Sequence, residues 1–541
     1  MFELSNFFLA FRRSFGAFFL VLVNLFASSG LNWDLQGVLY NRNSAAAYSF
    51  YDSTRKLGKN EYLEKNASYH IYLARNEREA CQFVVRSRKA STSAKYKIEF
   101  SEFTNEDGAV LKSQIFLEHF INCASDKDYG TYPDALEPVG RVAEYTLANG
   151  INWPFYIEAR ADEDTPAGEY RAKITVNRIH RGETSLQLVA EVKATVWDFS
   201  LPITPTMDTA FGLNRYYIQR LYGTGSNPAK TQELYEKYYE FLLDHKISPY
   251  TIPVDILSAE ADAYLNDPRM KSYMVPYPAD DAKLQEYYAK VSSNRTWKKK
   301  SFFYPIDEPW DLDDYARYDV ITDRLDRLCP GYNLVTPFGG VSFVNNDTTY
   351  YPIRLQKKSN IVCPISTNYS SKEFLSLVDE RRADGSKIWW YICCTPGPNS
   401  KYPNIFTQSD GIEGRLLMWQ QKKLDINGLL YWDTTYWNNV VSPWASAWTT
   451  PWTGKDTFGD GSLLYNGPDG PYASLRLKYV SDGIEDFEYL TMARDLLGED
   501  YMMQKINKVT NTLQDFTRDD SVLAKVRFEI GKDLEKALAN S

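Results

Sequence analysis

The proline-bearing stretch Leu201-Pro202-Ile203-Thr204-Pro205 separates two textures that no single domain accommodates. Proline removes the amide donor that a central strand or helix interior needs, so the stretch reads as a boundary. Before it, alternating apolar and polar residues recur in short segments at 69–73, 80–86, 96–100, 154–159, 170–176 and 186–197, with turn residues between them. That pattern predicts an antiparallel β-sandwich over residues 31–200. Within it, Asp164-Thr165-Pro166-Ala167-Gly168-Glu169-Tyr170 is a turn feeding a half-buried strand, read as packing rather than as a ligand site.

After the boundary, candidate strands at 208–213, 247–251, 301–306, 333–337, 360–365, 387–393, 428–432 and 462–465 are interspersed with stretches at 230–245, 311–328, 371–383 and 411–424 whose apolar residues fall at helical spacing. Eight such units over 206–470 predict a (β/α)8 TIM-type barrel. A further short segment at 272–276 leaves open whether the strand at 301–306 is third or fourth. Residues 471–541 read as a helical segment packed on the barrel. Its run Asp482-Gly483-Ile484-Glu485-Asp486-Phe487-Glu488-Tyr489 interleaves acids with aromatics, and the acids are expected to be partly solvated. The fold class is thus multidomain, all-β followed by α/β, and 541 residues suffice for two to four domains.

The first 29 residues place Arg12 and Arg13 ahead of an apolar run at 15–27 that is short for a membrane span, followed by Ala27-Ser28-Ser29-Gly30. This is the pattern of a secretory signal peptide at 1–29, which predicts export to the periplasm or medium and no integral membrane domain after cleavage. The net charge of -9 is spread without basic blocks and argues against nucleic acid as a partner. The oligomeric state is not legible. Cys81, Cys123, Cys329, Cys363, Cys393 and Cys394 lack metal-ligand spacing and are too few for a disulfide framework, so most are read as buried thiols. The only histidines are His70, His119, His180 and His245, none close in sequence to the acids discussed next, which argues against a multi-histidine metal site or a Ser-His-Asp triad. No metal or cofactor is expected.

Asp307-Glu308-Pro309-Trp310 leaves the apolar, aromatic segment Phe302-Phe303-Tyr304-Pro305-Ile306 with two adjacent carboxylates. At a strand exit such a pair is partly desolvated and close enough for each acid to shift the other's pKa, so that one can stay protonated while the other is charged. Pro309 disfavours the helical region for Glu308, which predicts an extended backbone there. The alternative is a strand-ending turn with solvated acids. If the strands form a barrel, the other candidates lie at their carboxyl ends: Asn214 and Arg215 after the first, Trp389, Trp390 and Tyr391 in the sixth, Trp432 and Asp433 after the seventh, and Tyr465 with Asn466 after the eighth. Trp390 and Trp432 are read as walls for a pyranose, Asp433 as an acceptor for its hydroxyls, and Tyr391 as a donor to a substrate carbonyl. Alternation allows only one of Trp389 and Trp390 to face inward. Arg476 and Glu485 follow the last strand and are also within possible reach of the site.

Glycosidases that attack with their own carboxylate need two carboxyls about 5 Å apart across the sugar, an arrangement sequence neighbours seldom achieve. Adjacent acids suit the substrate-assisted route, in which a 2-acetamido oxygen is the nucleophile. The chain resembles family 123 of the glycoside hydrolases, the β-N-acetylgalactosaminidases, and their uncharacterised relatives. The resemblance rests on Asp307-Glu308 after an aromatic strand, the segment from Asp482 to Tyr489, and the order of sandwich and barrel. It implies that Asp307 orients the acetamido group and stabilises an oxazolinium intermediate, that Glu308 is general acid and then base, and that the partner is an amino-sugar glycan. Two alternatives remain: a glycosidase on a non-acetamido sugar with Asp433 as nucleophile, and a non-catalytic glycan-binding protein.

Overall fold

The computed structural model describes residues 45–88, 94–123, 130–339, 358–438, 442–446 and 456–540. The expected signal segment and the first residues of the expected sandwich lie outside them.

The amino-terminal part is an eleven-stranded, largely antiparallel sheet folded over one core. Its strands are β1 (Ala46–Asp52), β2 (Ser68–Arg75), β3 (Glu77–Ser87), β4 (Lys95–Phe100), β5 (Phe103–Thr104), β6 (Val110–Asn122), β7 (Thr131–Val139), β8 (Val142–Tyr145), β9 (Asn152–Ala161), β10 (Gly168–His180) and β11 (Glu183–Ser200). One side runs β1-β3-β9-β6-β7 and the other is built on β10, which pairs β11 and β4; β6 joins the two through β5. β2 runs parallel to β11. In β10, Tyr170, Ala172, Ile174 and Val176 are buried while Arg171 and Lys173 face solvent, the alternation expected of a strand with one wet face. Arg181 and Gly182, both at positive φ, close the β10–β11 hairpin in the manner of a tight two-residue turn.

The second part contains parallel strands and helices. β12 (Asp208–Phe211) pairs β18 (Gly428–Tyr431), which pairs β17 (Lys387–Ile392), then β16 (Ile361–Pro364) and β15 (Val335–Phe338). From β15 a parallel bridge between Leu334 and Phe303 leads to β14 (Ser301–Phe302), which pairs β13 (Tyr273–Met274). Met274 N–H then donates to Tyr250 O at 2.7 Å, and Tyr250 N–H to Phe211 O at 2.9 Å, returning to β12. The pairings close a ring. Its interior holds Ala210, Phe302, Val335, Ile361, Cys363, Trp389, Tyr391 and Leu430. Their chain neighbours Phe211, Phe303, Val362, Ile388, Trp390, Leu429 and Tyr431 pack outward. Gly428 is required here, since a Cβ at that position would lie 1.9 Å from the Trp389 ring.

One open point is resolved and one expectation is corrected. The two-residue strand at 273–274 belongs to the ring, so Asp307 follows its fourth strand; a strand that short has no periodicity to read. The segment at 462–465 does not belong to it. There β19 (Leu464–Asn466) pairs antiparallel with β20 (Pro471–Ala473), and an antiparallel bridge from Ser474 to Ala135 sets this hairpin beside β7.

The helices Leu475–Leu497, Glu499–Val509 and Asp520–Ala539 complete the chain. The first is buried along nearly its whole length, and its acids are not partly solvated: Asp482, Glu485, Asp486 and Glu488 are all buried. A buried carboxylate persists only when paired, and the partners come from distant segments. Asp486 receives Arg415 Nε at 2.6 Å, Trp419 Nε1 at 2.9 Å and Arg527 Nε at 2.7 Å. Glu485 pairs with Lys246 at 3.2 Å, and Glu488 accepts Thr206 N–H at 2.7 Å. Arg415 also meets Glu79 of β3 at 2.8 Å, and Lys478 reaches Glu158 of β9, so this helix ties sandwich to ring through charge. Among the described residues no helix is long and apolar enough to cross a membrane.

Candidate active site

Phe303 hydrogen-bonds to its neighbours in the ring, after which Tyr304, Pro305 and Ile306 carry the chain out to Asp307 and Glu308 at the carboxyl end of the fourth strand. The Tyr304 hydroxyl donates to Asp307 Oδ1 at 2.6 Å. The Tyr391 hydroxyl, at the inner face of β17, donates to Glu308 Oε1. A tyrosine from the segment leaving the fourth strand and a tyrosine of β17 therefore hold the two acids.

Both acids keep an open, solvent-facing side, yet the surrounding wall removes enough water to raise both pKa values. For Asp307 the upward push of desolvation is opposed by the Tyr304 hydrogen bond and the Glu308 backbone. For Glu308 desolvation is again the largest cause, opposed by Tyr391 and reinforced by the charge of Asp307. Burial drives Tyr304 and Tyr391 well above the usual phenol range, which keeps them protonated as donors. Glu308 is not extended: its φ of 38° lies in the left-handed region. Such a conformation in a non-glycine residue costs about 1–3 kcal/mol and aims the side chain where relaxed backbone would not. Pro309 disfavours the right-handed helical alternative but does not by itself select extended backbone.

Beside the pair is a pocket of about 260 Å³ lined by Leu213, Asn214, Arg215, Tyr216, Tyr235, Tyr250, Thr251, Ile252 and Asp433. Tyr250 forms the partition. Its ring meets Tyr304 edge-on at 6.3 Å, and its hydroxyl donates to Trp432 O at 3.1 Å. Asp433 is buried, and desolvation pushes its pKa up to about 7 against the Thr435 and Thr434 amides and the Asn214 side chain. Asn214 also caps the helix Arg215–Tyr222 through Tyr216 N–H. Arg215 lies over the Tyr235 ring at 4.4 Å and donates to Gln232 at 2.6 Å.

The remaining candidates separate. Trp432 lines its own niche, with its indole N–H on Asp460 at 3.1 Å and its ring 4.7 Å from Tyr436. Trp390 does not face the mouth: it is fully buried on the outer side of β17 against Tyr369, because alternation gives the inner side to Trp389 and Tyr391. Trp389 is itself fully buried deep in the ring. Tyr465 is at the sandwich seam, donating to Asp134 at 2.6 Å, since its strand left the ring. Arg476 joins the same Asp134, and Glu485 lies by Lys246, ahead of the second ring segment; neither is seen to contact Asp307 or Glu308. Tyr304 and Tyr250 escaped sequence reasoning. The available signal was the aromatic run preceding the acids, but which ring faces inward depends on the register. Among the described residues no group of three or more His, Cys, Asp or Glu is arranged to hold a metal.

Residues 238–493, which include both acids and the buried helix from Leu475 to Ala493, match the model of the glycoside hydrolase 123 catalytic domain. The chain carries a family 123 glycoside hydrolase catalytic domain. A solved family 123 glycoside hydrolase from Clostridium perfringens, studied for glycolipid glycan hydrolysis, is similar over 91% of this chain and 98% of its own, with a TM-score of 0.64 and 14% identity. At that identity the likeness is one of fold, and it extends beyond the family 123 domain into the sandwich. A glycosyl hydrolase family 2 member from Bacteroides cellulosilyticus is far less similar, at a TM-score of 0.24 and 10% identity over 66% of this chain and 44% of its own. No curated protein sequence matches the chain.

Proposed function

We propose that this chain is an exported retaining β-N-acetylhexosaminidase, acting foremost on terminal β-linked N-acetylgalactosamine, with its site at the mouth of a (β/α)8 barrel. Asp307, ionised, accepts the N–H of the substrate's 2-acetamido group and turns the amide oxygen toward the anomeric carbon. Glu308, protonated, donates to the leaving oxygen; its conjugate base then takes a proton from the water that opens the oxazolinium ring. The observation that carries this reading is the tethering of two sequence-adjacent acids, both with raised pKa, by two tyrosines, Tyr304 just after the fourth strand and Tyr391 on β17. A carboxylate accepts at about four lone-pair sites, so each retains capacity for substrate. Desolvation raises both acids and a tyrosine hydroxyl opposes it at each, but only Glu308 is pushed up further by its neighbour's charge, which favours Glu308 as the acid and Asp307 as the charged partner. Asp433 and Asn214 line the neighbouring pocket and supply acceptors for sugar hydroxyls. The rival with Asp433 as nucleophile is disfavoured because Asp433 Oδ1 already accepts two amide N–H groups, at 2.7 and 2.8 Å, and a pKa near 7 weakens its nucleophilic form.

Chromogenic β-N-acetylgalactosaminide, β-N-acetylglucosaminide and β-galactoside test the proposal, with Asp307→Asn and Glu308→Gln alongside. Cleavage confined to the acetamido sugars, with turnover falling by about 10²–10⁴ in either variant, is expected. Hydrolysis of the plain galactoside, or full activity in Glu308→Gln, would overturn it.

A further inference from the structure

A second cavity, of about 380 Å³, lies on the outer wall of the ring. It is lined by the end of the helix Gly411–Lys423, the turn at Tyr369 and Ser370, and the segment from Asn511 to Gln514. It shares no lining residue with the pocket beside Asp307 and Glu308. Its volume is within the ~300–1,000 Å³ typical of ligand pockets.

Gln420 gives this cavity its chemistry. The residue is 1% exposed, and its Nε2 faces the carbonyls of Thr512 and Leu513, both at 3.4 Å, which fixes the orientation of the amide. Oε1 is left buried without a hydrogen-bond partner among the described residues. An acceptor in that state costs about 1–3 kcal/mol unless something donates to it. The surroundings select the donor. Among the described residues no carboxylate lines the cavity, which disfavours a cation, and the Lys423 ammonium is already committed to Asn507 and the Thr510 carbonyl, which disfavours a phosphate or other anion. What remains is neutral: the Ser370 and Thr512 hydroxyls, the Gln514 amide, the amide oxygen of Asn511, whose nitrogen donates to Asp515 at 3.1 Å, and an apolar strip of Leu424 and Leu513. Hydroxyls and amides alternating with a modest apolar surface match a pyranose, whose hydroxyls and C–H faces alternate in the same way.

We propose that this cavity is a second, non-catalytic carbohydrate site, which holds a neutral glycan at the outer wall while a terminal sugar is processed at the mouth. The choice of carbohydrate rests on the glycosidase reading; the existence of the site rests on the cavity. Full-chain Glu308→Gln, unable to turn substrate over, is titrated with an N-acetylgalactosamine-terminated oligosaccharide in parallel with Glu308→Gln/Ser370→Phe. Ser370 is exposed at the cavity rim, and phenylalanine there fills it. Two classes of site are expected, the weaker reduced at least tenfold by Ser370→Phe and the stronger unchanged. Ser370→Phe alone should leave hydrolysis of small chromogenic sugars within twofold of the parent. Should Ser370→Phe not fold, Gln514→Trp, also at an exposed position, makes the same test. A single class unaffected by either plug, or loss of both classes together, overturns the proposal. If chromogenic sugars are not cleaved while the weaker class still responds to the plug, the catalytic reading fails and the cavity stands; turnover without a second class sinks the cavity alone.

Discussion

Removing Arg476 tests how sandwich and ring are joined. Its guanidinium makes a two-pronged pair with Asp134 of β7, Nε to Oδ1 and Nη2 to Oδ2, both at 2.9 Å, with the two side chains 2% and 0% exposed. It also donates to Gly459 O at 2.7 Å and Ser462 O at 2.6 Å. Arg476→Met leaves a carboxylate buried with only the Tyr465 hydroxyl as a known donor, at a cost of about 3–5 kcal/mol. Gly459 O keeps the Ser462 N–H at 3.1 Å, whereas Ser462 O loses the guanidinium and adds about 1 kcal/mol, giving a total of about 4–6 kcal/mol. Arg476→Met/Asp134→Asn removes the stranded charge but keeps an acceptor for Tyr465, so its loss falls to about 2–3 kcal/mol. Urea unfolding followed by tryptophan fluorescence measures both. A single-variant loss under about 1 kcal/mol, or a double variant as unstable as the single, would refute the claim that this pair is a buried charge clamp rather than a loosely solvated contact.

Tyr391→Phe removes the hydrogen bond that favours the Glu308 carboxylate, so the Glu308 pKa rises further; the alkaline limb of the pH–rate profile should move to higher pH, and movement to lower pH would contradict the assignment of Glu308 as the acid. Asp433 binds its proton more tightly folded than unfolded, so its contribution makes stability greatest below about pH 4 and lets it fall toward pH 7. Asp433→Asn should abolish that slope, matching the parent near pH 4 and exceeding it at pH 8 by on the order of 3–4 kcal/mol in urea unfolding. Gly212→Ala should cost about 1–3 kcal/mol in the same assay and raise KM, because its Cβ would fall 2.0 Å from Trp432 O, where the first and eighth strands close beside Asn214 and Asp433.

What the sequence alone determined is what local chemistry dictates. The prolines at 202 and 205, the alternation in β4, β10 and β11, and the long amphipathic helices are properties of short windows, and so is the emergence of Asp307 and Glu308 from an aromatic segment. Only the tertiary structure decided which short segments enter the ring, because strand membership depends on a pairing partner and the two residues at 273–274 carry no pattern of their own. It also decided that Leu464 and Tyr465, apolar enough for a ring strand, turn instead toward Asp134, 331 residues away in the chain. Register set Trp390 outward and Tyr391 inward onto Glu308, and a shift of one residue would have exchanged them. The acids of the Leu475–Leu497 helix look like a solvated face until Arg415, Arg527 and Lys246 are brought to them. Charge burial is decided by partners, and partners distant in sequence meet only when the whole chain has folded.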